Sequence, residues 1–192
     1  MECFLLAGGE SKRFGEDKLL FRIGALRTID YVLREASRVC EKVFIVTKDP
    51  TKFRDFGVPA IEDLLPYRTP LAGIYTALKV CSRDKALILS GDIPLIKGEV
   101  LKLVEDGFRE PITVLSCGER IHPLVGMYSS HLYTTVEEYL REGSRSVMGF
   151  LERVGYNTIG ESMLRRVDPD LTSLTNMNTK EDLAKIVEIL DR

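Results

Sequence analysis

The stretch LAGGESKRFGEDK (residues 6–18) closes an apolar run, Cys3 to Ala7, on two glycines, and then supplies Ser11, Lys12, Arg13 and Lys18. Gly8 and Gly9 let backbone N–H groups approach an anion closely and tolerate positive φ. Arg13 and Lys18 bring positive charge suited to phosphate oxygens. Neither familiar phosphate motif fits. G-x-G-x-x-G fails because Gly8 and Gly9 are adjacent, and the P-loop needs G-K-[ST] where Gly15 is followed by Glu16. A plain strand-ending turn is the competing reading, since glycine commonly stops strands.

Three further stretches carry candidate ligands. In SGDIP (90–94), Asp92 directly follows an apolar run and precedes a proline-fixed turn. A lone carboxylate there suits Mg²⁺, which takes one or two carboxylates together with substrate phosphates. It equally suits a cap on the turn. In AIEDLLPYRTPLAGI (60–74), Asp63 follows a short apolar run, and Thr69-Pro70 leads into a helical pattern containing Gly73. A glycine inside a helix costs about 1 kcal/mol relative to alanine, so something approaches closely there, either a ligand or a packed strand. In TNMNTKEDL (175–183), Asn178-Thr179 with Asp182 reads as a helix start of capping-box type. Asn176 and Asn178 also offer amide ligands near a metal or phosphate. His122 and His131 are the only histidines. His122 stands beside Arg120 in GERIHP (118–123), at a strand start, where it either touches a ligand or is structural.

These residues need elements to hold them at one place. CFLLA (3–7), KVFIV (42–46), VPAI (58–61), ALILS (86–90), Ile112–Ser116, PLVGMY (123–128) and a short run near Tyr156–Ile159 read as strands, mostly continuous and apolar. Helical spacing marks Thr28–Val39, 71–80, Gly98–Asp106, Leu132–Arg141, Ser146–Val154 and Lys180–Leu190. Strands alternating with helices predict an α/β chain: a mainly parallel sheet with helices on both faces. Right-handed crossovers then gather the loops after the strands along one edge, where open sheets bind ligands. No repeat, low-complexity segment or Pro/Gly/Ser-rich linker divides the chain, so residues 1–192 are expected to form a single domain.

Composition narrows the function classes. Charged residues make up 29%, yet they sum to only −2, so no broad field favours wrapping nucleic acid or an anionic membrane, and any anion site must be local. Cys3, Cys40, Cys81 and Cys117 lie far apart without a C-x-x-C, which argues against a metal cluster or disulfide framework and for a reducing cytoplasm. The apolar runs are too short to span a bilayer. Met1 is followed by Glu2 rather than a basic region and a long apolar stretch, so no secretory signal is expected.

Taken together, the stretches are more specific than any one of them. LAGGESKRFGEDK resembles the L-A-G-G-x-S-x-R-x-G-x-D-K signature of GT-A-like nucleotidyltransferases. TPLAGI, SGDIP, GERIHP and NMNTKEDL are similar, in order, to the later motifs of the molybdenum cofactor guanylyltransferase family, and REGSRSVMGFLERVG (141–155) also looks like that family. The resemblance runs nearly end to end. It implies a three-layer Rossmann-like nucleotidyltransferase fold and a Mg²⁺-dependent cytoplasmic enzyme. The implied reaction joins GTP and molybdenum-bound molybdopterin into the guanine dinucleotide cofactor plus pyrophosphate, with possible contacts to other molybdenum-cofactor proteins.

By the same resemblance, Leu6, Ala7, Gly8 and Gly9 hold GTP through their backbone, and Lys18, with Arg13, meets its phosphates. Asp63 contacts the nucleotide, Pro70 and Gly73 lie beside the base, and Asp92 binds Mg²⁺. Arg120, His122, Asn176 and Asn178 fall on the pterin side. Lys18, Asp92 and Arg13 are the implied catalytic set. Two positions depart from the family pattern: Val46-Thr47 stands where the family can have asparagine, and Thr69 where it often has glycine. The alternatives are a cytidylyltransferase or sugar-phosphate nucleotidyltransferase of the same superfamily, and a non-catalytic nucleotide-binding protein.

Overall fold

The structure is a computed structural model that describes residues 1–8 and 17–191. Gly9, Arg13 and the rest of the 9–16 stretch lie outside the described residues.

Among the described residues, nine strands and seven α-helices follow one another as β1 (Glu2–Leu6), β2 (Arg22–Ile23), β3 (Leu26–Arg27), α1 (Thr28–Val39), β4 (Lys42–Thr47), β5 (Ala60–Glu62), α2 (Pro70–Val80), β6 (Lys85–Ser90), α3 (Gly98–Asp106), β7 (Ile112–Cys117), β8 (Arg120–Ser129), α4 (Tyr133–Arg141), α5 (Val147–Val154), β9 (Asn157–Ile159), α6 (Glu161–Leu164) and α7 (Lys180–Leu190). Seven strands form one sheet in the order β5-β4-β1-β6-β8-β7-β9. All pairings are parallel except those of β8, which runs antiparallel to both β6 and β7.

Side chains alternate across the sheet and so feed two apolar layers. Cys3 and Leu5 of β1 pack with Ile29, Val32 and Ala36 of α1 and with Val100, Leu101 and Val104 of α3. Phe4, between them, faces Leu71, Ile74, Tyr75 and Leu78 of α2, with α4 and α5 beyond. The helices therefore cover both faces, as the sequence predicts. A third, smaller cluster joins Ile23, Leu95, Met177 and Ile186, and seats α7 against the β2–β3 hairpin.

The direction of β8 qualifies the expectation of a mainly parallel sheet. Gly118 and Glu119 are the only residues between β7 and β8, and Gly118 takes φ of +57°. A two-residue connection can only reverse the chain, because a parallel return needs a crossover of a dozen or more residues. The strand is also longer than the expected 123–128. Its pairing with β7 shifts register between Val114 and Leu115. Gly126 lies opposite Val114, and a Cβ there would come within 2.6 Å of Val114 Cγ1.

Candidate active site

The C-terminal ends of β5, β4, β1 and β6 open onto one cleft of about 910 Å³. Of the residues implied above, Leu6, Ala7, Gly8, Lys18, Asp63, Pro70, Gly73 and Asp92 line it. They arrive from separate strands because β1 is central: it pairs Leu6 with Val46 on one side and with Ser90 on the other.

At one end of the cleft Lys18 meets Asp92. Lys18 Nζ donates to Asp92 Oδ2 and, at 2.8 Å, to Asn178 Oδ1. Ser90 Oγ donates to Asp92 Oδ1 at 2.5 Å, and Asn176 Nδ2 reaches the same oxygen at 3.3 Å. The Asp92 carboxylate thus meets three side chains, two of them (Lys18 and Asn176) from distant parts of the chain, rather than acting only as a local turn cap.

The two asparagines reach this point because their segment is pinned on the far side. Met177 N donates to the Asp92 carbonyl at 2.8 Å, and the Met177 side chain is fully buried in the third cluster. Asn176 and Asn178, on either side of it, are not among the residues lining the cleft but reach Asp92 and Lys18, which are. Thr179 and Asp182 cap α7 reciprocally: Asp182 N donates to Thr179 Oγ1 at 3.1 Å, and Thr179 N to Asp182 Oδ2 at 2.9 Å. The cap leaves the Asn178 side chain available to Lys18, so the capping reading of TNMNTKEDL holds without tying up that amide.

At the other end stands Asp63, its side chain 6% exposed. Asp63 N donates to the Thr47 carbonyl at 2.8 Å, Thr76 Oγ1 lies 3.4 Å from Asp63 Oδ1, and Lys48 Nζ lies 3.7 Å from Oδ2. Burial pushes the Asp63 carboxyl above its ordinary value, against the pull of Lys48 and Thr76. A Cβ on Gly8 would sit 3.4 Å from Asp63 Oδ2, so a bare glycine keeps the space beside that oxygen open.

Arg120 and His122 do not join the cleft lining. Arg120 is exposed, whereas His122 is buried at the start of β8 opposite Leu115. Burial, with the Arg120 guanidinium nearby, pushes His122 down to about 4, which keeps the imidazole neutral near pH 7. Gly73 does line the cleft, and its close approach is to a strand residue: a Cβ would meet Leu6 Cδ2 at 3.1 Å.

The metal-ligating atoms shown around Asp92 are oxygens: its carboxylate, the Ser90 hydroxyl and the amide oxygen of Asn178, while Asn176 turns its Nδ2 to the carboxylate. That is the chemistry of Mg²⁺ rather than of a soft metal. Among the described residues no group of three or more His, Cys, Asp or Glu could hold a metal. A cation here would rest on one carboxylate, as Mg²⁺ sites completed by substrate phosphates do.

Residues 3–154 match the family model described as MobA-like NTP transferase domain. The chain is 40% identical over 188 residues to a protein of Aquifex aeolicus (strain VF5) named "Probable molybdenum cofactor guanylyltransferase", covering 97% of this chain and 90% of that protein. The chain belongs to the MobA-like NTP transferase family. A second member, named molybdenum cofactor guanylyltransferase, from Desulfosudis oleivorans, is 35% identical over 184 residues, covering 94% of this chain and 91% of its own length. The family fold is recognisable in the crystal structure of molybdopterin-guanine dinucleotide biosynthesis protein A from Archaeoglobus fulgidus. Its TM-score is 0.86 at 24% identity, over 100% of this chain and 99% of that one.

Both departures from the family pattern have a local account. Thr47 is buried beside the cleft, where its hydroxyl donates to the Ala7 carbonyl at 3.5 Å and accepts from Asp49 N at 3.3 Å. Thr69 caps α2 through Leu71 N and donates to the Arg145 carbonyl at 2.8 Å. The Thr69 side chain is thus tied to the loop before α5.

Sequence reasoning missed Ser90 and Lys48, which line the cleft, and Thr76, which meets the Asp63 carboxylate. Ser90 was visible as the residue two before Asp92, but lone hydroxyls at strand ends are common. Lys48 and Thr76 carried no local signal at all.

The segment bearing the asparagines is anchored by a buried carboxylate. Asp168 is fully buried and accepts from Lys97 Nζ at 2.5 Å, Ser173 N at 2.8 Å and Thr172 Oγ1 at 3.2 Å. Burial alone would raise its pKa, but Lys97 and Ser173 outweigh it and hold the group below its ordinary value. Because the folded value is the lower one, the stabilisation is complete above the unfolded pKa of ~3.9 and is lost as pH falls through the folded value. Asp168→Asn is expected to cost about 2 kcal/mol at pH 7, a difference that shrinks toward pH 3. Urea denaturation at the two pH values measures it; an undiminished difference at pH 3 would assign the cost to packing alone.

Proposed function

We propose that this chain transfers GMP from GTP to the terminal phosphate of molybdenum-bound molybdopterin, releasing pyrophosphate. The reading rests on the names its relatives carry and, within this molecule, on one observation. Lys18 and Asp92, far apart in sequence, meet at one end of the cleft, while the Asp63 carboxylate waits at the other.

In this reading an oxygen of the pterin's terminal phosphate attacks the α-phosphorus of GTP. A new P–O bond forms as the bond to the β-phosphate bridging oxygen breaks, and pyrophosphate departs. The attacking oxygen is already anionic at neutral pH, so no general base is needed. His122 lies outside the cleft lining and, pushed down to about 4, is too weakly basic to serve as one. The obstacle is bringing two polyanions together. Leu6, Ala7, Gly8 and Gly9 would present backbone to the nucleotide, and Lys18 with Arg13 would carry charge to its phosphates. Asp92, with Asn178, would hold Mg²⁺. When bound, that ion screens the phosphates and stabilises charge on the departing pyrophosphate. Pro70 and Gly73 would flank the base. Asn176, Arg120 and His122 would lie toward the pterin. The whole chain, 1–192, would act as one nucleotidyltransferase domain.

No described helix is long and apolar enough to cross a membrane, and we place the reaction in the cytoplasm.

The test is pyrophosphate release with molybdopterin present and GTP, CTP or ATP offered in turn. Release with GTP is expected. Release with CTP would move the chain to cytidylyl transfer. Release only with a sugar phosphate in place of the pterin would make it a sugar-phosphate nucleotidyltransferase. Nucleotide binding without any release would leave a binding protein.

A further inference from the structure

The two ends of the cleft differ in chemistry. Three strand intervals separate β5, which leads to Asp63, from β6, which leads to Asp92. At ~4.8 Å per interval this is roughly 14 Å, within the reach of a nucleotide from base edge to phosphates. With the phosphates at Lys18, the base falls beside the Asp63–Lys48 pair.

Lys48 directly follows β4 and lines the cleft. Its ammonium donates to the Tyr67 carbonyl at 2.9 Å and stands 3.7 Å from Asp63 Oδ2. An ammonium has three donors, and these two neighbours engage two of them. The third is free to meet a ligand acceptor beside the Asp63 carboxylate. A donor set next to an acceptor is the complement of guanine, whose edge presents the O6 acceptor and then the N1–H and N2–H donors. Adenine and cytosine present an amino donor and then a ring-nitrogen acceptor, so each would set donor against ammonium and acceptor against carboxylate.

We propose that Lys48 is a specificity-determining residue that donates to guanine O6 while Asp63 accepts from N1–H and N2–H. This deepens the guanylyl-transfer reading and rests on it. The tie to Tyr67 fixes the ammonium and, through the 64–69 segment, the start of α2. The lysine is therefore ordered before a base arrives, which limits the entropy lost on binding.

The test measures binding of GTP, 6-thio-GTP, ATP and CTP by calorimetry, without the pterin, to the unaltered chain, Lys48→Met and Lys48→Arg. The unaltered chain is expected to favour GTP over ATP and CTP, and over 6-thio-GTP, whose sulfur accepts hydrogen bonds poorly. Lys48→Met should lose about ten- to a hundredfold in GTP affinity, leave ATP and CTP unchanged, and bind GTP and 6-thio-GTP alike. Lys48→Arg, which keeps a donor and provides a second variant should the methionine not fold, should retain the preference for GTP. Equal loss for all four nucleotides in Lys48→Met would mean that Lys48 only supports the loop, overturning the proposal while leaving guanylyl transfer standing. A lack of GTP preference in the unaltered chain would overturn guanylyl transfer itself, and the role of Lys48 with it.

Discussion

Asp92→Asn is expected to lower pyrophosphate release from GTP by at least about a hundredfold, as loss of a charge-stabilising group in an active site does, with the fold intact. The side chain is buried, and its two oxygens take Ser90, Asn176 and Lys18. Asparagine keeps the shape and one acceptor oxygen, so Ser90 and Asn176 retain a partner. The negative charge is lost, along with the second acceptor. The Lys18 ammonium pairs with that charge, and in the proposed reaction a divalent cation would rest on it too, since the neighbouring hydroxyl and amide groups are neutral. Turnover measured across a Mg²⁺ titration, beside an unchanged urea midpoint, checks the expectation. Near-normal Mg²⁺-dependent turnover in the variant would remove Asp92 from the metal.

Lys18→Ala is expected to weaken GTP by about ten- to a hundredfold, the worth of a charge-assisted hydrogen bond, while leaving guanosine binding unchanged. The difference between nucleotide and nucleoside carries the argument. Lys18 lies at the Asp92 end of the cleft, away from Asp63, so it has no reach to the base. It also bridges Asp92 and Asn178, and its removal leaves the Asp92 carboxylate without its ammonium. Were that bridge its whole role, the cleft would loosen and both ligands would weaken together. Paired calorimetric titrations with GTP and guanosine separate the two outcomes.

Local sequence carried much of the frame. The helical period over Thr28–Val39, Gly98–Asp106 and Lys180–Leu190 predicts bounds identical to those of α1, α3 and α7. Each has a well-marked apolar stripe, and a stripe is a property of neighbours three and four residues apart. Elements without such a stripe escaped. The two-residue strands β2 and β3, the 3₁₀ turn at Pro50–Phe56 and the four-residue α6 are too short to show a period. The reversal at Gly118-Glu119 was readable as a hairpin, but PLVGMY looks the same in a parallel strand as in an antiparallel one.

By itself the sequence determined that this is an alternating α/β chain with glycine, aspartate and lysine at the ends of its apolar strands, and it determined the family to which those motifs belong. Gly8, Asp63 and Asp92 stood out because a strand's stop is written in the residues beside it, and Lys18 because it closes the motif that begins at Leu6. Which of these side chains meet was decided only by the tertiary structure. Strand order β5-β4-β1-β6 puts Lys48 beside Asp63, and the pinning of Met177 under Asp92 brings Asn178 to Lys18 across 160 positions. The Thr69 hydroxyl likewise finds the Arg145 carbonyl 76 positions away. Such pairings follow from which strands lie side by side and which helices cover them. That is settled by burying two apolar faces at once, a global condition that leaves no mark on the few residues it brings together.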